Sequence, residues 1–142
     1  MIFVAFNTFY GLLSQEAQER CFARVAEHLT GDGVFVIEAF VPDLTRWDRG
    51  QRISIVDLGV DRLQLDASVH DPTTQTIRAQ HIVFSEGAPK LYPVQVRYAW
   101  PSELDLMARL AGLRLRERWG GWDRQPFTQA SRTHVSVYAK NA

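Results

Sequence analysis

Leu29-Thr30-Gly31-Asp32-Gly33-Val34-Phe35-Val36-Ile37-Glu38 is the stretch on which the fold turns. It carries the end of an amphipathic segment, through a glycine-containing turn, into an apolar run with no polar alternation. Upstream, Ala17, Cys21, Phe22, Val25 and Leu29 recur near the helical period and mark one face. Gln18, Arg20, Arg24 and Glu27 mark the other. Ser14 is placed to cap this helix, with Glu16 and Glu19 in its first turns where the backbone dipole favours acids. Gly31 and Gly33 predict a stop in which residues take positive φ. Before the helix, Ile2-Phe3-Val4-Ala5-Phe6 is a second unbroken apolar run, the pattern of a strand buried on both faces of a parallel sheet. Strand, helix and strand make a βαβ unit with a right-handed crossover. Chains seldom begin inside such a strand, so the sequence reads as though a preceding part is missing.

From Val41 to Trp100 the period changes to two. Leu63, Leu65, Ala67 and Val69 alternate with polar residues; so do Ile77, Ala79, His81 and Val83 beyond the turn signal Asp71-Pro72-Thr73-Thr74. Val94, Val96, Tyr98 and Trp100 form a further run, and Ile53, Ile55 and Leu58 add another. The pattern predicts a small antiparallel sheet with one face covered. Pro101-Ser102 then opens a helix through Leu104, Met107, Leu110 and Ala111. Ser102 and Asp105 stand at capping-box spacing, and Gly112 closes the helix. Leu113–Arg116 and His134–Ala139 read as two final strands.

Composition narrows the function classes. The 142 residues are 46% hydrophobic, and sixteen basic side chains balance sixteen acidic ones. A zero formal charge creates no field toward nucleic acid or an anionic membrane, so neither is an expected partner. No apolar run reaches the ~20 residues of a membrane span, and no basic segment precedes the first apolar run as in a signal peptide. Cys21 is alone, which excludes an intrachain disulfide, and His28, His70 and His134 are scattered without ligand partners at useful spacing, so no metal site is expected. A cytoplasmic globular domain is the expectation. Gly31-Asp32-Gly33 is not a phosphate loop: it follows a helix and precedes a strand, the reverse of the order that points backbone N–H groups at an anion.

Ligands of open α/β sheets bind beyond the carboxyl ends of the strands. That places Phe6, Asn7 and Thr8 at one such end and Glu38 at the next. Asn7 and Thr8 either contact a ligand or satisfy the strand-to-helix turn. Glu38 is the candidate substrate-side carboxylate, orienting an amine or hydroxyl or taking its proton, or else a solvated acid. His81, Tyr98 and Trp100 either line the mouth of a site, His81 and Tyr98 as acid or base, or pack in the sheet. Two arginine- and tryptophan-rich stretches, around Arg46–Arg52 and Arg114–Arg124, either bind phosphate or form a solvated face.

Taken together, Asn7-Thr8-Phe9 after a buried strand, the Leu29–Glu38 stretch, the antiparallel insertion and Leu104 through Ala111-Gly112-Leu113 resemble the second half of class I S-adenosylmethionine-dependent methyltransferases. The branch is the small-molecule one that includes aminosugar N-methyltransferases. The resemblance implies an α/β, Rossmann-like C-terminal half: a βαβ unit over 1–40, an antiparallel cap over 41–100, and a helix with a terminal β-hairpin over 101–142. It implies S-adenosylmethionine as cofactor, with Phe6, Asn7, Thr8 and Leu12 at its methionine part, and a small-molecule methyl acceptor facing Glu38, Tyr98 and His81. The family's glycine-rich loop has no counterpart here, so the expected polypeptide is inactive alone. It is expected to work as a homo-oligomer or with a separate chain supplying the missing half. The alternative is a non-catalytic, truncated module for binding or dimerisation.

Overall fold

In the computed structural model of the chain, residues 1–140 are described. They form two compact units, one from Met1–Pro42 together with residues 99–140 and the other from Asp43–Tyr98.

The first unit is a four-stranded sheet with two helices. Its strands are β1 (Ile2–Val4), β2 (Val34–Phe40), β7 (Leu113–Trp119) and β8 (Thr133–Lys140), in the order β1-β2-β8-β7. β1 runs parallel to β2, with Phe3 opposite Val36, while β8 lies antiparallel between β2 and β7. The helix α1 (Gln15–His28) is capped as expected: the Ser14 hydroxyl accepts from the Ala17 N–H at 3.1 Å. Its apolar face buries Phe22, whose ring meets Phe9, Phe35 and Tyr138 edge-on at 5.4–5.5 Å. Burying one such ring contributes about 2–3 kcal/mol.

Three local expectations are corrected in this unit. α1 ends on an extended Leu29, and neither Gly31 nor Gly33 has positive φ. Gly33 is required for space instead: a Cβ there would sit 3.0 Å from Thr30 Oγ1 and 3.1 Å from the Thr30 nitrogen. Ser102 does not cap α2 (Pro101–Leu110); Trp100 takes the cap position with Pro101 at N1, where a missing N–H costs nothing. Asp105 is drawn away from the helix end by Arg118 and the Tyr138 hydroxyl, at 2.5 and 2.9 Å. The apolar run Ile2–Phe6 yields only three strand residues on the edge of the sheet, and Phe3 is exposed. The strand stops there because Phe6 and Asn7 leave the extended region.

The second unit is a meander of β3 (Gln51–Leu58), β4 (Leu63–Asp71), β5 (Thr76–Phe84) and β6 (Lys90–Arg97), with neighbours antiparallel throughout. Paired residues share a face, so the register sorts the side chains. Arg52, Ser54, Asp66, Ser68 and His81 lie on one face; Ile53, Ile55, Leu65, Ile82 and Leu91 lie on the other. The expectation of a covered apolar face is not met, for Ile53, Ile55 and Leu91 are 75%, 64% and 59% exposed.

Candidate functional site

The carboxyl ends of β1 and β2 are built by an exchange of hydrogen bonds between them. Phe6 and Asn7 both occupy the left-handed region, with φ of 56° and 61°. For residues with a Cβ this conformation costs roughly 1–2 kcal/mol each, so something must hold it. The Phe6 N–H donates to Glu38 Oε2 at 2.7 Å, and the Phe40 N–H donates to Asn7 Oδ1 at 2.6 Å. The turn continues into a 3-10 helix, Thr8–Gly11, which closes with the Tyr10 N–H on the Asn7 carbonyl. The Tyr10 hydroxyl lies 2.9 Å from the Ala99 carbonyl and 3.1 Å from that of Phe40. Burial pushes this phenol far above its ordinary pKa, so it is a strut and not a base.

The consequence is an unusual presentation of side chains. Phe6 is 86% exposed, an apolar ring held out on a strained backbone. Glu38 spends one of its two carboxylate oxygens on the Phe6 N–H. Asn7 spends its carbonyl oxygen on Phe40, and its amide nitrogen is the remaining donor. Thr8 is exposed beside them, and Leu12 is half-buried with its carbonyl taken by the buried Gln18 amide. Strain of this kind gathers at ligand sites.

His81 and Tyr98 belong to the second unit and are not together. His81 pairs across β4 and β5 with Asp66. Tyr98 lies just beyond the end of β6, and its N–H reaches the Gln75 carbonyl. Gln75 is six residues before His81, roughly 20 Å along an extended strand. Tyr98 instead meets His70, its hydroxyl 2.9 Å from His70 Nε2. The Trp47 indole stacks on that imidazole at 4.6 Å and donates its N–H to Ser68 Oγ. Sequence reading set His70 aside as scattered and took Asp66 only as a polar position in the alternation of this strand. The signal for Asp66 was the Asp71–Thr74 turn, which sets the β4–β5 register and thereby places 66 opposite 81.

The arginine stretches divide. Arg118 is internal, joined to Asp105, Tyr138 and Ser136, whereas Arg124 and Arg46 lie over the Trp119 and Trp47 rings. The hydroxyl of Ser136 also meets His134 Nδ1 at 2.9 Å in the same cluster. Burial, with Arg118 nearby, pushes His134 down to about 4. Among the described residues no group of His, Cys, Asp and Glu is arranged to hold a metal ion. No described helix is long and apolar enough to cross a membrane.

No protein-family model matches the chain. Its fold superposes on the CcbJ methyltransferase from Streptomyces caelestis with a TM-score of 0.93 and 45% identity, covering 99% of this chain and 56% of that one. The chain resembles S-adenosylmethionine-dependent methyltransferases in sequence and fold. A cypemycin N-terminal methyltransferase from a Streptomyces species is 27% identical over 132 residues, covering 92% of this chain and 54% of the relative. S-adenosylmethionine-bound CalS10, an amino pentose methyltransferase from Micromonospora echinaspora, shares the fold at a TM-score of 0.64 and 18% identity, covering 98% of this chain and 58% of that one. The chain thus spans about half the length of the methyltransferases it matches.

Proposed function

We propose that this chain is the C-terminal part of an S-adenosylmethionine-dependent methyltransferase that acts on a small molecule in the cytoplasm. The observation that carries the reading is the left-handed Phe6-Asn7 pair braced by Glu38 at the carboxyl end of β1. Its residues suit an amino-acid moiety beside an apolar group. The Asn7 amide nitrogen donates to a carboxylate, the second Glu38 oxygen accepts from an ammonium or an acceptor hydroxyl, and the Phe6 ring covers apolar surface. Thr8 and the Leu12 wall complete that side. When bound, S-adenosylmethionine supplies an activated methyl group, so the protein's work is to align the nucleophile and exclude water. In this reading Glu38 meets the methyl acceptor, and Tyr98, bonded to His70, and His81, paired with Asp66, are held too far apart to serve it together.

The chain is proposed to be inactive alone and to work as a homo-oligomer or with a chain supplying a glycine-rich nucleotide loop. The unpaired side of β1 takes part in that contact, since an edge strand without Lys or Pro is a template for pairing. Titration calorimetry with S-adenosylmethionine and S-adenosylhomocysteine is the test. The expected result is no measurable heat for the isolated chain and saturable binding once a glycine-rich half is added. Tight binding by the isolated chain would overturn the inactivity; no binding by the completed assembly would overturn the enzyme and favour a non-catalytic module.

A further inference from the structure

One end of the polar face of the second unit's sheet gathers hydrogen-bond donors around an open groove. Register sets Asp66, His81 and Tyr92 in one row across β4, β5 and β6, and Gln64, Val83 and Lys90 in the next row on the same face. Arg62, which precedes β4, joins them by donating to Gln64 Oε1 at 3.2 Å. Arg62, Gln64, His81, Val83, Lys90 and Tyr92 stand in the wall of a groove of about 590 Å³, within the ~300–1,000 Å³ of small-molecule sites. No acid lines it. Asp66 is taken by the His81 ring, and Asp57 stands 3.9 Å from Arg62. The Lys90 ammonium and the Tyr92 hydroxyl have no hydrogen-bond or ion-pair partner among the described residues.

We infer that this groove binds the phosphate monoester of a small organic molecule. Donor chemistry selects an oxyanion. Lys90 brings an ammonium and Arg62 a guanidinium, both donors without acceptor capacity. Gln64 has spent its carbonyl oxygen on Arg62, so its amide nitrogen is the group left for a ligand. Asp66 occupies Nδ1 of His81, which leaves Nε2, and beside an anion that nitrogen serves as a donor. With the Tyr92 hydroxyl, these donors outnumber the roughly four lone pairs of a carboxylate, whereas the three terminal oxygens of a phosphate use them. Size selects an ester over the free ion. The groove is larger than one oxyanion fills, and the half-exposed Tyr92 ring with Val83 offers an apolar wall for an organic part. The site lies wholly within the second unit and does not depend on the methyltransferase reading.

Titration calorimetry of the full chain with phenyl phosphate at low ionic strength tests it, beside inorganic phosphate and benzoate. Phenyl phosphate is expected to saturate with a Kd below about 1 mM, and each of the other two to bind at least ~10-fold more weakly. Lys90→Met and His81→Gln should each weaken phenyl phosphate binding ~10-fold or more, while Arg24→Gln, at an exposed arginine on α1, leaves it unchanged. Lys90 is exposed on an edge strand, so Lys90→Met decides should His81→Gln fail to fold. No saturation by phenyl phosphate, inorganic phosphate or benzoate bound as tightly as the ester, an affinity that Lys90→Met leaves intact, or one lost equally in Arg24→Gln would overturn the inference.

Discussion

Glu38 Oε2 accepts the backbone N–H of Phe6 at 2.7 Å, so a side chain at the end of β2 holds the backbone at the end of β1 in the left-handed region. Two variants separate the strain from the brace. Phe6→Gly removes the Cβ clash and loses almost no burial, so it should stabilise the unit by about 1 kcal/mol in urea denaturation. Glu38→Leu should cost about 1–2 kcal/mol, because the bond is charge-assisted but exposed. Both should weaken S-adenosylmethionine binding by the completed assembly. A Phe6→Gly protein less stable than wild type would contradict the strain account.

Stability should fall in acid through His134. Burial holds its folded pKa at about 4 against an ordinary 6.5, so the folded state stays neutral where the unfolded chain binds a proton. The unfolded state therefore gains protons as pH drops from 6.5 toward 4, and stability is lost across that window, about 3 kcal/mol in all. Denaturant melts at pH 7 and pH 4.5 should show the slope, and His134→Asn should flatten it. A variant with the wild-type slope would assign acid sensitivity to another group.

Asp105 holds two buried partners at once, Arg118 at 2.5 Å and the Tyr138 hydroxyl at 2.9 Å. Asp105→Ala strands a guanidinium whose side chain is only 13% exposed, and should cost about 3 kcal/mol. Asp105→Asn keeps an acceptor and should cost roughly half as much. Equal losses for the two would show that charge alone matters here.

The Tyr98–His70 contact bears on turnover. In the completed enzyme, Tyr98→Phe should lower kcat by about 10–100-fold if its hydroxyl serves the methyl acceptor. If His70 positions that hydroxyl, His70→Gln should lower kcat more than it raises KM. An unchanged kcat in Tyr98→Phe would return that tyrosine to a packing role.

Local signals were readable from the chain by itself. Ser14 as cap, the amphipathic run from Ala17 to Leu29 and the alternation through Leu63–Val69 each depend on neighbours a few residues away, and each gave the element the structure shows. So did the order of elements, which carried the resemblance to methyltransferases later found in the comparisons. What lay beyond sequence were choices between distant partners. Asp105 fits a capping box, but Arg118 and Tyr138 offer a better-buried site for its charge. Ile2–Phe6 has the composition of a buried strand, yet Glu38, thirty-two residues away, holds Phe6 out of it. Tyr98 met His70 and not His81 because the β5–β6 register sets Arg97 opposite Thr76, at the end of β5 away from His81, and a strand's register moves every side chain it carries. Period and composition report which face a residue takes; only the folded chain, where long-range bonds compete for the same groups, decides what it touches.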